Sequence, residues 1–329
     1  MILLFSRQDD GSTRQVAEWL YAMDKKFIRF NADDQKISFS ACDLQRCKFS
    51  VMINNRLYKF SVKSVKSVWH RRSGFSKDNF FNAANSLSNL FHEPSSFAEK
   101  HLKEETTEML DYLYHLLEKN SHIHNIGSQF YNVVNKLIVL DLANSCGLQT
   151  PQSFIISTKK DLAYLLKKEK KLITKAIGNG VYRFTNEFGY YSYTEKIDKS
   201  FINSLPDIFF PSIVQKQIDK QYELRIFCLE GKFYAMAIFS QETLATAIDS
   251  RKNFGSDWMP RRVPYLLPEE IKSQLKKLMM KLKLNTGSID MIVTKRNEYY
   301  FLEVNPVGQF GMVSQPCNYY LEKKIAESL

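Results

Sequence analysis

Two apolar strands near the C-terminus each carry a single carboxylate, and no other feature limits the fold of this chain as strongly. Ser288 to Thr294 and Tyr299 to Val304 read as strands around a turn at Arg296-Asn297. A loop centred between those two residues sets Asp290 directly opposite Glu303. Both carboxylates then share one face, and Asn305, two positions beyond Glu303, adds a third oxygen there. Like charges directly opposite each other destabilise a sheet. Ile289, Met291, Leu302 and Val304 imply a buried hairpin, in which free carboxylates are costly. A cation between them resolves the conflict. Oxygen ligands of this kind suit Mg²⁺, which completes its shell with water and substrate phosphates. The alternative is a solvated hairpin face displaced by one residue in register.

The rest of the chain reads as mixed α/β (α+β). Its 329 residues, 44% hydrophobic, suffice for a large core divided into two or three lobes. Ile2 to Ser6, a helix from about Ser12 to Met23, and Phe27 to Asn31 form a βαβ opening. Arg7-Gln8-Asp9-Asp10-Gly11 lacks the glycine-rich turn of a dinucleotide site, which excludes NAD. Ile37 to Arg72 is β-rich, with Asn54-Asn55 as a hairpin turn and Ser67 to Arg72 as a strand ending in charge. An amphipathic helix spans about Ser95 to Lys119, and another runs from about Tyr131 to Cys146 and ends at Gly147. Pro151 opens a strand through Ile156, Thr158 caps a helix with Asp161 three residues on, and Lys171 to Ile177 is a strand. Antiparallel strands follow over Ile213 to Ile218, Glu223 to Leu229 and Lys232 to Ser240, with Glu230-Gly231 as a turn. Pro268 opens a helix with a stripe of Ile271, Leu275, Leu278 and Leu282.

No apolar run is long enough to span a membrane, and the opening residues are too short for a signal peptide. Five scattered cysteines with neither a zinc spacing nor a C-x-x-C pair imply reduced thiols and a cytoplasmic protein. The net charge of +11 would attract any polyanion. The lysines are nevertheless spread along the chain, and Lys276 to Lys283 alternates with Leu and Met as a solvated helix face does. That distribution favours an anionic small molecule and an acidic peptide over nucleic acid.

Several isolated groups suit phosphate chemistry. Lys136 lies early on a helix, and Lys175 ends a strand before Gly178-Asn179-Gly180, where backbone amides approach an anion closely. Glu223 and Arg225 alternate onto one strand face, either as an ordinary ion pair or with Arg225 as an anion clamp. Asp249-Ser250-Arg251 follows a strand and a loop and could reach the same cleft.

Taken in order, these elements resemble the ATP-grasp superfamily from roughly Asn125 to the C-terminus. Asn135-Lys136 and Ile173-Thr174-Lys175 look like its two lysine segments, and Val214-Gln215-Lys216-Gln217-Ile218 resembles the hinge strand whose backbone reads adenine. Asp290, Glu303 and Asn305 look like its metal ligands. Met1 to Ser6, Lys26 to Asn31, Val68-Trp69-His70-Arg71-Arg72, Glu223-Leu224-Arg225, Asp249-Ser250-Arg251 and Phe301 to Pro306 are similar to graspetide synthetases, above all the grasp-with-spasm peptide maturases. Gln215 stands where many superfamily members carry an acid, and the glycine loop is sparse.

The resemblance implies a pre-ATP-grasp lobe over residues 1–94, a helical link over 95–124, a lid lobe over 125–205 and a metal-bearing lobe over 206–329. It also implies ATP and Mg²⁺ as cofactors, with Lys136, Lys175, Gln215 to Ile218, Glu223 and Asn305 toward the nucleotide. A Glu or Asp side chain of a ribosomal precursor peptide would become an acyl phosphate, and a Ser, Thr or Lys side chain of that peptide would close an ester or amide. Arg225 would stabilise the transferred group, Arg251 would receive the peptide carboxylate, and Asp249, Arg71 and Arg72 would lie toward the substrate. A leader segment would dock on the hairpin Tyr182 to Glu195 or on the helix Ser95 to Lys119, and the enzyme would be a homodimer. The rival readings are a ligase adding free amino acids to a protein or small molecule, a non-catalytic nucleotide- or peptide-binding module, and a nucleic-acid binder.

Overall fold

The computed structural model describes residues 1–34, 37–72, 74–75, 96–178, 180, 182–184, 189–240 and 260–329. Strand β1 (Ile2–Ser6) is buried along its whole length, and β2 (Phe27–Asn31) lies beside it in parallel after the helix Gly11–Ala22. Asp10 starts that helix by accepting a hydrogen bond from the Thr13 amide. β3 (Ile37–Asp43), β4 (Lys48–Ile53) and β5 (Arg56–Ser61) form an antiparallel meander. Its second turn is Asn54-Asn55 as expected, both residues left-handed at φ 50° and 61°, because this tight hairpin needs positive φ at both central positions. β6 (Ser67–His70) and β7 (His124–Ile126) extend the first sheet to the parallel order β2-β1-β6-β7, with the helix Ser96–Glu118 between them in sequence.

The central lobe begins with β8 (Ser153–Thr158) and β9 (Leu172–Lys175), followed by the two-stranded ribbon β10 (Tyr182–Phe184) and β11 (Gly189–Tyr191). β12 (Glu195–Ile197) and β13 (Ile208–Lys216) complete a sheet of order β12-β9-β13-β8. The helices Lys159–Glu169 and Lys199–Ser204 cover one face, packing Leu162, Leu165 and Ile202 on Leu172, Ile197 and Val214. Strand alternation leaves Ser153, Ile155, Ile173, Lys175, Ile213 and Gln215 on the other face.

From Lys216 the chain crosses to a second sheet made of β14 (Lys220–Leu229), β15 (Lys232–Phe239), β16 (Arg261–Tyr265), β17 (Thr286–Thr294) and β18 (Tyr299–Asn305), in the order β16-β15-β14-β17-β18. The helices Lys136–Ser145 and Glu269–Lys281 back one face through Leu224, Ile226, Ile289, Met291 and Phe301. On the opposite face Phe227, Met236 and Ile238 lie under Phe310, Val313 and Trp69, which joins this lobe to the first sheet.

Several boundaries differ from the sequence reading: β13 begins at Ile208 rather than Ile213, β14 at Lys220 rather than Glu223, and two helix starts shift. The helix expected from Tyr131 starts at Lys136, because the Asn135 side chain accepts from the amides of Leu137 and Ile138 and fixes the N-cap there. Pro268 is the N-cap of its helix rather than its first residue, with Glu269 and Glu270 complementing the helix dipole.

Arg71 is enclosed in the fold. Its guanidinium donates to the carbonyls of Val307 and Gly308, lies 3.3 Å from the Asp10 carboxylate, and sits 5.6 Å from the Phe310 ring. Arg72 donates to the same carboxylate at 3.2 Å. The physical reason is position: β6 ends where the first sheet meets the segment after β18, and a long cation there satisfies carbonyls from the other lobe. Burial would raise the Asp10 carboxyl, but Arg71, the Thr13 amide and Arg72 outweigh it and hold the group below its ordinary value. Asp10→Ala should cost about 3 kcal/mol in urea unfolding, since it strands a buried guanidinium. Because the folded pKa is depressed, the contribution is whole above about pH 4 and vanishes as pH falls below it. The variant should lack that acid-dependent component.

Candidate active site

The C-terminal hairpin places Asp290 opposite Glu303 and Ser288 opposite Asn305, as the sequence predicts, but by a different route. Near the turn the register is Met291 with Phe301, one residue away from that of a loop centred between Arg296 and Asn297. Leu302 is an extra residue on β18, and this bulge restores the opposition of the two carboxylates. In a regular strand Glu303 would instead follow Phe301 onto the face packed with Met291 and Val304.

Neighbouring strands bring cations to the same face. Arg225 on β14 pairs in register with Asp290, and its guanidinium donates to the Asp290 carboxylate. Glu223, two residues earlier on that face, accepts from Lys220 and, at 2.9 Å, from the Ser240 hydroxyl. Lys136, the first residue of its helix, lies 3.0 Å from Glu303, and Lys175 from the central sheet adds its field there. Residues far apart in sequence thus meet between two sheets.

The two carboxylates respond in opposite directions. Burial pushes Asp290 up to about 6, Arg225 opposes this, and Glu303 and Glu223 add to the rise. Burial also acts to raise Glu303, but Lys136, Lys175 and Arg225 prevail and hold it low. Burial disfavours the charge on Arg225, while Asp290, Glu223 and Glu303 more than restore it. One oxygen of Asp290 is buried without a hydrogen-bond partner. A buried, unpartnered carboxylate oxygen beside a second carboxylate fits a hard divalent cation. Among the described residues no cluster of three or more His, Cys, Asp and Glu could hold a metal. The residues that could hold one are Asp290, Glu303 and the Asn305 amide oxygen, which here accepts from the Val307 amide at 3.1 Å. A shell of that kind leaves positions for phosphate oxygens and water.

The segment between the sheets has its own order. The Gln215 amide, almost fully buried, donates to the Ser153 hydroxyl at 2.8 Å. Lys216 forms a 3.1 Å ion pair with Glu169, and the Gln217 backbone amide donates to the Lys171 carbonyl at 3.0 Å. The side-chain oxygen of Gln217 is buried without a partner, and Ile218 lies beside it, half-buried. Asp249 and Arg251 lie outside the described residues, as does Asn179 of the glycine segment and part of the hairpin Tyr182 to Glu195. Three residues of this face were missed in the sequence: Lys220, Ser240 and Arg262. Arg261–Tyr265 carries a central proline and does not read as a strand, although an edge strand tolerates one.

The fold, with its helix-backed central sheet beside a carboxylate-bearing antiparallel sheet, is similar to that of solved structures. A RiPP-associated ATP-grasp ligase from Chryseobacterium gregarium, in complex with ADP and a leader and core peptide, superposes with a TM-score of 0.78 over 99% of this chain and 94% of its own, at 22% identity. The chain has the ATP-grasp fold. Macrocyclase MdnC from Microcystis aeruginosa MRC, bound with precursor peptide MdnA, gives 0.75 at 24% identity, covering 99% of this chain and 98% of that one. The ATP-grasp likeness weakens to 0.56, at 13% identity, for D-alanyl-alanine synthetase A from Vibrio cholerae, over 95% and 90% of the two chains. No protein-family model and no curated protein sequence matches the chain.

Lys136→Met is expected to raise the Glu303 carboxyl pKa, because it removes the nearest cation and leaves the burial in place. An NMR titration of glutamate-labelled protein checks this. An unmoved titration would mean that Lys175 and Arg225 alone set the group.

Proposed function

We propose that the protein is an ATP-dependent peptide ligase that closes ester or amide rings within a ribosomally made precursor peptide. The observation that carries this reading is the half-buried row Arg225, Asp290 and Glu303 with Lys136 and Lys175 beside it, in a fold shared with solved peptide ligases. Bound Mg²⁺ would neutralise the ATP phosphates, held by Asp290, Glu303 and Asn305. Lys136 and Lys175 bind and orient the phosphate chain, and Gln215 to Ile218 line the nucleobase end. Phosphoryl transfer needs chiefly such positioning and charge neutralisation, so no protein nucleophile is required.

A Glu or Asp carboxylate of the peptide takes the γ-phosphoryl group, giving an acyl phosphate and ADP. A Ser or Thr hydroxyl or a Lys amine of the same peptide then attacks the acyl carbon, loses its proton and expels inorganic phosphate. Arg225, whose guanidinium donates to Asp290, is proposed to stabilise charge on the transferred group. Arg251 is proposed to hold the peptide carboxylate with Asp249 beside it, and Arg72, whose side chain is partly exposed, to contact substrate. Residues 1–94, 95–124, 125–205 and 206–329 are proposed as the four units of the chain, with the leader docking either on the helix of the second unit or on the hairpin Tyr182 to Glu195. A homodimer in the cytoplasm suits the reading: the five cysteines are free thiols, and no described helix is long and apolar enough to cross a membrane.

The test is mass spectrometry of an acidic, threonine-containing precursor encoded beside this gene, incubated with ATP and Mg²⁺. Stepwise loss of one water per ring is expected with the wild type, and Glu303→Gln should slow it at least about 100-fold. ATP hydrolysis with unchanged peptide mass would replace this reading by a ligase for free amino acids, and no hydrolysis would leave a binding module.

A further inference from the structure

The catalytic face carries an arginine that the ligase chemistry above does not use. Arg262 on the edge strand β16 pairs with Ile238 on β15, and Ile238 pairs with Glu223 on β14. Arg262 therefore shares the face of Glu223, Arg225 and Asp290. Two strand spacings separate β16 from β14, about 10 Å, within the combined reach of two arginine side chains converging on one ligand. Its neighbour Arg261 belongs to the opposite face, where it lies over the Phe239 ring at 5.6 Å.

Arg262 is half-buried, and its Nε is enclosed without a hydrogen-bond partner. A buried guanidinium N–H is costly to leave unmatched, and guanidinium geometry matches a carboxylate or a phosphate. The layout of the sheet separates those two anions. Lys136 and Lys175 gather at Glu303 on β18, the far edge, which makes that end the phosphate side. Arg262 lies at the other edge, with Arg225 between them. A peptide carboxylate that accepts the phosphoryl group near Arg225 has the β16 side open to it, opposite the phosphate side.

We propose that Arg262 is a specificity-determining receptor for an acidic side chain of the peptide substrate, holding that carboxylate on the β16 side of Arg225. The inference rests on the peptide-ligase reading and goes beyond it by assigning a recognition group on a strand outside the nucleotide site. It accounts for a buried guanidinium N–H that nothing in the described protein satisfies.

The experiment uses the full chain and the leader-bearing precursor peptide, with Arg262→Ala, Arg262→Lys and the wild type. The expected result is a rise of about 10- to 100-fold in the peptide KM for Arg262→Ala, with the ATP KM and thermal midpoint unchanged. Arg262→Lys should recover part of the loss, and added guanidinium should partly rescue Arg262→Ala. In a binding titration without turnover, a peptide whose recognised Glu or Asp is replaced by Gln or Asn should bind the wild type and Arg262→Ala with equal Kd, whereas the unaltered peptide should bind the variant about 10- to 100-fold more weakly. Wild-type turnover with an unchanged peptide KM in both variants, or a fall in kcat tracking a lowered thermal midpoint, overturns the role of Arg262 alone. Absence of peptide turnover by the wild type overturns the ligase reading, and this inference falls with it.

Discussion

Two carboxylates held face to face in a buried hairpin are tolerable only if cations surround them, and the architecture of this chain follows from that requirement. Asp290 and Glu303 oppose each other on β17 and β18, and each has a cation of its own, Arg225 for the first and Lys136 for the second. Arg225 comes from the adjacent strand, Lys136 from the start of a helix that backs the sheet, and Lys175 from the other sheet. Losing any one of these cations would leave part of the pair's charge uncompensated in a low-dielectric setting.

The same principle joins the N-terminal lobe to the rest. Trp69 and Phe227 pack against Phe310, with ring centroids 6.3 and 5.0 Å away, and this supplies apolar area. Arg71 supplies direction, because one guanidinium meets the Asp10 carboxylate of one lobe and the carbonyls of Val307 and Gly308 in the other. Those carbonyls follow Asn305 by two and three residues. The strap therefore fixes the path of the chain just beyond the proposed ligands, and lobe packing and site geometry are one problem.

Legibility varied with the range of the interaction. Asn54-Asn55 as a turn and Thr158 as a cap were plain, because each depends on residues a few positions apart. The opposition of Asp290 and Glu303 was also foreseen, yet through a loop centre that the structure replaces with a bulge at Leu302. The start of the helix at Lys136 was missed by several residues because apolar periodicity continues upstream of Asn135, whose side chain sets the boundary. β16 escaped notice because Pro264 interrupts its pattern, and with it went Arg262.

Local chemistry alone determined the mixed α/β class, the βαβ opening, most strand and helix cores, and the set of oxygen and cationic groups suited to a nucleotide with its metal. Those properties follow from periodicity, capping and side-chain type, which act over a turn of helix or a pair of strands. Only the tertiary structure decided that Arg71 is a strap inside the protein and that Lys136 and Lys175 flank Glu303. It also decided that Arg262 stands on the catalytic face across from them. The reason is that each of those outcomes depends on which sheet edges and lobe ends lie together, a matter of long-range packing that no short window of residues encodes.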